Sequence, residues 1–456
     1  MELSDLTDDV LIKVFSYLSA SELLQCRTVC RRWRPLALLP CLWRNKTIRF
    51  FDGKSREDLP AVLRVAPRLN ELRLYGISDE TIVEWGLLLF STSCAVADLS
   101  ISFDGADSGF ASMVLARQVS LGRLKGVSLR LNWKNPSKIR LGALLRQLVC
   151  TEGLESICVE AWDHPELSHF PSATQVGGAV PPASLRILKH YVPCRDEYLP
   201  LYLEWHAATL EKVSFMADSP GARVASLLSS LPRLRDLRCP LLEDMHSLLP
   251  CPSLKRLFLH VDLTDSNWLT LPGVRAFLSS AVLLLEELVL DVFKNSDDDD
   301  AVSLVQSLGG TGTSPATLRS LKFCVAHEYE IPQVEWDPPL LLQPLASILH
   351  RLPHLRHLDI GGAPSDEFLE ALDGRVLPNL RELEVCTSRE FTHEQFHSER
   401  VRMLMRRNPR LHLMVTVASN EEGEKEIIEC SHCPFPLTGK KNLNSLCSVT
   451  PWERAM

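Results

Sequence analysis

The residues best suited to chemistry lie late in the chain, in Cys430-Ser431-His432-Cys433. Thiolates at this spacing can share one tetrahedral zinc. It is only half a site, because the nearest further thiol is Cys447 and His432 lies between the two cysteines, poorly placed to join the same ion. A CxxC redox pair needs a thioredoxin-like strand and helix around it, whereas this one follows the polar run Glu421-Glu422-Gly423-Glu424. An unspecialised reduced tail is therefore favoured over zinc or redox chemistry. Elsewhere there is no GxSxG, HExxH, Walker or dinucleotide fingerprint. Gly309-Gly310-Thr311-Gly312-Thr313 lacks a GKS or GKT ending and reads as a flexible loop, and Asp297 to Asp300 as a solvated loop tip. His354 and His357 flank Leu355 and read as surface positions, and Cys26 and Cys30 as buried small hydrophobes. No catalytic, cofactor or metal residue is assigned, and the chain points to binding rather than catalysis.

The 456 residues carry 49 Lys+Arg against 57 Asp+Glu, a net charge of −8. That balance argues against nucleic-acid binding by counterion release. With 45% apolar and 23% charged residues the chain is globular in class and can bury a large core. Its fourteen cysteines are scattered without a regular framework, and Glu2, Asp5, Asp8 and Asp9 precede the first base, Lys13. No apolar stretch approaches the roughly 20 residues of a spanning helix. A soluble protein of the cytoplasm or nucleus, with no membrane partner, is expected.

The elements that must position any binding surface show in a recurring spacing, Leu-x-x-Leu-x-Leu, often with Pro two positions ahead. Its clearest copies start at Leu69, Leu254, Leu355 and Leu380, and weaker ones at Val96, Leu124, Leu154, Leu185, Leu210, Leu234, Leu285, Leu318 and Leu411. The twelve steps from Leu69 to Leu411 give a mean period of about 28.5 residues, that of a leucine-rich repeat. Each copy predicts a short strand with its leucines inward, followed by an outer helix such as Ala222 to Leu231 or Leu341 to Leu352. One coil buries too little to stand alone, so stability requires stacking.

Residues 1 to 46 do not follow this period. Val10, Leu11, Val14, Phe15 and Leu18 fall on one face of a helix favoured by Asp8 and Asp9, and Ser19-Ala20-Ser21-Glu22 is a capping box opening a second. A third stretch, Val29-Cys30-Arg31-Arg32-Trp33, leads to Pro40-Cys41-Leu42-Trp43. So small a unit cannot bury all its apolar side chains internally, and some must be kept for a partner or for the repeats. Thr47-Ile48-Arg49-Phe50 reads as a first, imperfect strand joining the two modules.

This segment resembles an F-box, carried by Leu6, Asp9, Val10, Leu11, Ile12, Phe15-Ser16-Tyr17-Leu18, Glu22-Leu23, Val29-Cys30, Trp33 and Leu42-Trp43. With the repeats behind it, the chain resembles the F-box/leucine-rich-repeat family, substrate receptors of Skp-cullin-F-box ubiquitin ligases. Two positions depart from the pattern: Thr7 replaces the usual Pro, although Thr can itself cap a helix, and Pro35 should kink or delay the third helix. The bland alternative for these residues is a helical cap on the open end of the repeats.

The resemblance implies an α/β fold with a three-helix F-box over 1–50, a curved leucine-rich-repeat solenoid over 51–418 and a flexible polar tail over 419–456. It implies docking on a Skp-family adaptor, and through it a cullin-RING ligase, by Leu6, Asp9, Leu11, Ile12, Phe15, Leu18, Leu23, Val29, Cys30, Trp33, Leu42 and Trp43. The ligase's other subunits would transfer ubiquitin, while the repeats would bind an unidentified protein substrate. Strand alternation turns Lys189, Lys212, Arg238 and Arg256 outward in the middle copies, and Glu287, Asp291, Asp359, Glu382 and Glu384 in later ones, a substrate face basic at its centre and acidic toward its end. Two rivals remain open: a leucine-rich-repeat scaffold outside any ligase, and an enzyme with its thiol in the Cys430 and Cys433 tail.

Overall fold

The computed structural model describes residues 6–51, 59–77, 79–104, 108–132, 138–162, 180–192, 198–216, 223–262, 271–293, 298–310, 316–324, 338–362, 364–372, 374–387 and 399–417, with three two-residue strands at 427–428, 437–438 and 447–448. Cys430, Cys433, most of the tail, and 311–313 of the glycine loop lie outside these residues. The chain divides into two compact units, Met1–Pro220 and Gly221–Met456.

The first unit opens with helices α1 (Asp8–Ser16), α2 (Ala20–Val29), α3 (Trp33–Leu36) and α4 (Pro40–Trp43). Pro35 sits inside α3, which is a single turn, so the third helix of the expected module is cut short where its backbone donor is missing. Seven parallel strands follow: β1 (Thr47–Phe51), β2 (Arg68–Ile77), β3 (Ala95–Asp104), β4 (Gly126–Asn132), β5 (Ser156–Trp162), β6 (Ile187–Tyr191) and β7 (Lys212–Met216). Helices α5 (Leu59–Val65), α6 (Asp79–Ser91), α7 (Ser108–Ser120), α8 (Lys138–Val149) and α9 (Tyr198–Trp205) alternate with them.

The second unit repeats the scheme with β8 (Asp236–Pro240), β9 (Arg256–Asp262), β10 (Glu287–Phe293), β11 (Ser320–Cys324), β12 (His357–Asp359), β13 (Glu382–Thr387) and β14 (His412–Val417). Its helices are α10 (Arg223–Ser229), α11 (Leu271–Ala281), α12 (Asp298–Ser307), α13 (Pro338–Ile348), α14 (Asp366–Ala371) and α15 (Glu399–Arg407). Asp298 to Asp300 form the first turn of α12 rather than a loop tip, where acids suit the positive end of the helix. Met414 and Val415 also pair antiparallel with Ser448 and Cys447. Among the described residues no helix is long and apolar enough to cross a membrane.

All thirteen copies of the spacing lead into strands, and Thr47–Phe51 supplies the fourteenth. The inward leucines form the cores: Leu69, Leu72, Leu74, Leu188 and Leu210 in the first unit, and Leu234, Leu321, Leu358, Leu383 and Leu411 in the second, are fully buried. Polar brackets hold the helix ends to the strand starts or to the neighbouring helix end. Buried Gln118 accepts from Val96 N–H at 3.0 Å and donates to the Cys94 carbonyl at 3.2 Å. His206 Nδ1 accepts from the amides of Ser184 and Leu185, and Asn408 donates to the Leu372 carbonyl at 2.8 Å.

A histidine takes one of the inward positions. His190 stands where the spacing calls for leucine, buried, with its ring edge-on to Tyr202 at 6.0 Å. Burial lowers its pKa to about 4, and burial lowers that of His206 as well. Because the folded value lies below the unfolded one, near 6.5, the unfolded chain binds more protons between these values, so stability is lost as pH falls from about 6.5 toward 4. His190→Leu is expected to lose less melting temperature than wild type between pH 7.5 and pH 5; an equal loss in both proteins would remove His190 as the source.

Candidate functional site

The first candidate surface is the N-terminal module. Thr7 occupies the N-cap of α1 but makes no side-chain cap bond, so the turn is held differently: Arg32 Nε and Nη2 bond Asp8 Oδ1 at 2.9 and 2.8 Å, and Arg32 also reaches the Leu6 carbonyl. The capping box of α2 is complete, with Ser19 N–H donating to Glu22 at 2.7 Å and Glu22 N–H to Ser19 at 3.3 Å. Phe15 and Trp33 meet edge to face at 5.2 Å, and Trp43 Nε1 donates to the Ala37 carbonyl at 2.7 Å. Lys46 Nζ reaches the Leu18 carbonyl, and Arg68 Nε donates to the Pro40 carbonyl at 3.1 Å, tying the module to β2.

This geometry corrects the expectation that all twelve motif residues face a partner. Leu11, Phe15, Leu23, Leu42 and Trp43 are buried, because short helices need their largest side chains to make any core at all. Leu6, Ile12, Leu18 and Trp33 are half-buried, and Asp9, Val29 and Cys30 are exposed. The open apolar side chains lie on another flank of α1, about 110° round from Leu11 and Phe15. Val10, Val14 and Tyr17, at i, i+4 and i+7, are 44%, 48% and 77% exposed, and Val29 at the end of α2 is 62% exposed. Helix α1 is thus apolar on two faces, one spent on the core and one open. The signal is present in the sequence: the one face expected to hold Val10, Leu11, Val14, Phe15 and Leu18 divides in two, and Val10 and Val14 begin the second stripe.

Residues 3–49 match the F-box-like family model. The match covers about a tenth of the chain. One similar solved structure is the "Crystal structure of Rad7 and Elc1 complex in yeast", at 16% identity and TM-score 0.41, over 89% of this chain and 92% of that chain. No curated protein matches the chain in sequence.

The second candidate surface is the outward row of each unit's strands. In the first unit Lys189 and Lys212 are exposed, as alternation requires. The same side carries Arg130, held to Glu160 at 2.8 Å, and Tyr191, whose hydroxyl meets Ser214 Oγ at 2.6 Å. In the second unit Arg256 is exposed but neutralised, its guanidinium gripping both oxygens of Asp236 on the neighbouring strand. Arg238 lies over the Phe258 ring at 4.0 Å. The expected basic character of these two positions is therefore largely spent inside the fold.

The acidic positions need a sharper correction. Asp291 points outward by alternation but is only 6% exposed, with His260 Nδ1 3.0 Å from its Oδ2, so it is not an open contact residue. Glu287 and Glu384 are half-buried and Glu382 is exposed. His357 lies between the last two, 3.6 Å from Glu382 and 3.5 Å from Glu384. Among the described residues no group of three or more His, Cys, Asp or Glu could hold a metal ion.

Asp359, opposite Glu384 in register, has its pKa raised to about 6, chiefly by burial, with Glu384 adding to the rise and the Gly361 N–H, Lys322 and His357 opposing it. A folded value above the unfolded one, near 3.9, means that the native state binds the extra proton, so stability falls as pH rises from about 4 through 6. Asp359→Asn keeps an oxygen for the Gly361 amide, 3.0 Å away. At pH 7.5 it is expected to gain on the order of 1–3 kcal/mol, shrinking toward zero near pH 4. Urea unfolding at the two pH values measures this, and a variant weaker than wild type at pH 7.5 would refute it.

Proposed function

We propose that the chain is a substrate-recognition subunit of a Skp-cullin-F-box ubiquitin ligase, docking a Skp-family adaptor through the F-box-like module and holding a protein substrate on leucine-rich repeats. The observation that carries this reading is the module itself. Its family match coincides with an apolar stripe, Val10, Val14 and Tyr17, left open on a helix whose other face already fills the core. A simple end cap has no use for a second apolar stripe exposed to water, whereas a docking helix requires one. The inward-leucine spacing, with parallel strands and alternating helices, supports the leucine-rich-repeat assignment. Function in the cytoplasm or nucleus is part of the same proposal, consistent with the free thiols of Cys26, Cys30 and Cys41.

The reading separates two kinds of variant. Val14→Asp with Tyr17→Ala is expected to weaken adaptor capture by on the order of 1–3 kcal/mol, roughly ten- to a hundredfold, with the melting temperature unchanged. Phe15→Ala removes a buried ring that packs on Trp33, and should cost about 3–5 kcal/mol of module stability. Co-purification from cells, with melting followed on the same preparations, tests both. Full adaptor capture by the stably folded Val14, Tyr17 variant would sink the docking assignment, and identification of the co-purifying chains would show whether a cullin is recruited.

A further inference from the structure

In the second unit, the turn that follows α14 and the C-terminal end of α15 enclose an open cavity of about 660 Å³. Arg375, Arg407 and Arg410 line it, with the buried side chains of Leu377 and Leu380 and the exposed Pro409. None of the described residues that line it is acidic, in a chain whose net charge is −8. The cavity owes its shape to Gly374: a Cβ there would stand 2.7 Å from Asn408 Oδ1 and 3.0 Å from the Arg407 carbonyl. Asn408 has little freedom to yield, since its Nδ2 bonds the Leu372 and Leu404 carbonyls.

The arginines of α15 and of the turn after it fall into two sets. Arg400 pairs with Asp366, and Arg402 and Arg406 pair with Glu399 at 3.7 and 3.3 Å. Arg407 and Arg410, the two that line the cavity, have no ion pair or side-chain hydrogen bond among the described residues. The negative end of the helix accounts for a base at Arg407, in its last turn. It does not account for Arg410, which lies beyond the helix, or for Arg375 on the facing turn. The guanidinium forks of Arg407 and Arg410, without a carboxylate among the described residues at a concave site, suit an anionic ligand. The cavity far exceeds a single small anion, and its leucines ask for apolar side chains next to the charged ones.

We propose that this cavity binds an acidic peptide segment of a protein partner, its Asp or Glu carboxylates on Arg407 and Arg410 and an apolar residue over Leu377 and Leu380. The inference rests on the substrate-receptor reading and names the class of segment the receptor would take. Its location on the return turns, rather than on the outward strand rows, frees it from the ion pairs that consume charge there.

The test uses the purified full chain and a fluorescent twelve-residue peptide built of Glu-Glu-Leu repeats, with its Gln-Gln-Leu counterpart. The Glu peptide should bind at least about tenfold more tightly than the Gln peptide, and lose that advantage as salt rises and the Debye length falls below about 8 Å. Arg407→Glu with Arg410→Glu should weaken it about tenfold or more. Arg402→Glu with Arg406→Glu, the same change of net charge a few residues away on α15, should leave it close to wild type. Equal binding of the two peptides, or equal loss in both double variants, would overturn the inference. So would complete displacement by about 10 mM inorganic phosphate, which would mark a site for free anions. Adaptor capture is followed on the same preparations. A wild-type chain that captures adaptor but ignores the Glu peptide defeats this inference alone, whereas one that binds the peptide and captures no adaptor defeats the receptor reading alone.

Discussion

Within each unit, most coils are locked to the next by one carbonyl that accepts two amides. In the first unit the Lys125 carbonyl takes the N–H groups of Glu155 and Ser156, that of Glu155 takes Arg186 and Ile187, and that of Arg186 takes Glu211 and Lys212. In the second, the carbonyls of Arg235, Lys255, Glu286, Arg319 and Arg356 do the same for the coils that follow them. Register is thereby set before the strand begins, and a slip of one residue, which would turn every leucine to water, is closed off at its origin. Coils of 20 residues and of 37 residues enter the sheet at the same motif position, because length differences are absorbed elsewhere. The side chains at these positions form ion-pair rows, Lys125 with Glu155 and Arg186 with Glu211, then Lys255 and Arg319 on Glu286. They are largely exposed, so each contributes little, and the charges follow the register rather than create it.

The N-terminal module lives under a different limit, that of surface to volume. Four helices of four to ten residues must build a core and still leave something for a partner. Helix α1 resolves the conflict by carrying two apolar stripes. Leu11 and Phe15 serve the inside, and Val10, Val14 and Tyr17 remain outside. The Asp8–Arg32 pair and the Lys46 contact to the Leu18 carbonyl then hold the helix ends, which lets so small a core fix the orientation of the outer stripe.

Much of the fold was legible because periodicity reports direction. The strands, the outer helices at Arg223–Ser229 and Pro338–Ile348, the capping box at Ser19 and the interruption at Pro35 all follow from local spacing. Depth is another matter. Asp291 and Asp359 are on the outward side by alternation, yet both are withdrawn from water, and Val289 between Phe258 and Lys322 is buried as well. Whether an outward side chain is open depends on neighbours 20 to 37 residues away in sequence, set by the adjacent coils. The same distance hid the Arg256–Asp236 pair and the meeting of Arg375 with Arg407 and Arg410. Gly374 was the one local clue to that last site, and a glycine beside a turn has many ordinary explanations.

The pairing pattern bears on where selectivity can reside. An outward arginine already bound to a carboxylate, as Arg256 is, must give up that bond before it can serve a partner, so the exchange gains little free energy. An outward acid withdrawn from water, as Asp359 is, is charged near neutral pH but is screened from a partner's cation by the groups that bury it. Charge counted along the strand rows therefore overstates their attraction for any charged molecule. The groups whose electrostatic work is undone are those with no internal counterpart, and among the described residues that condition meets a shaped concavity at Arg407 and Arg410. Affinity along the strand rows would then have to come from the aromatic and apolar members of the rows, such as Tyr191 in the first unit and Phe258 in the second, with charge setting orientation.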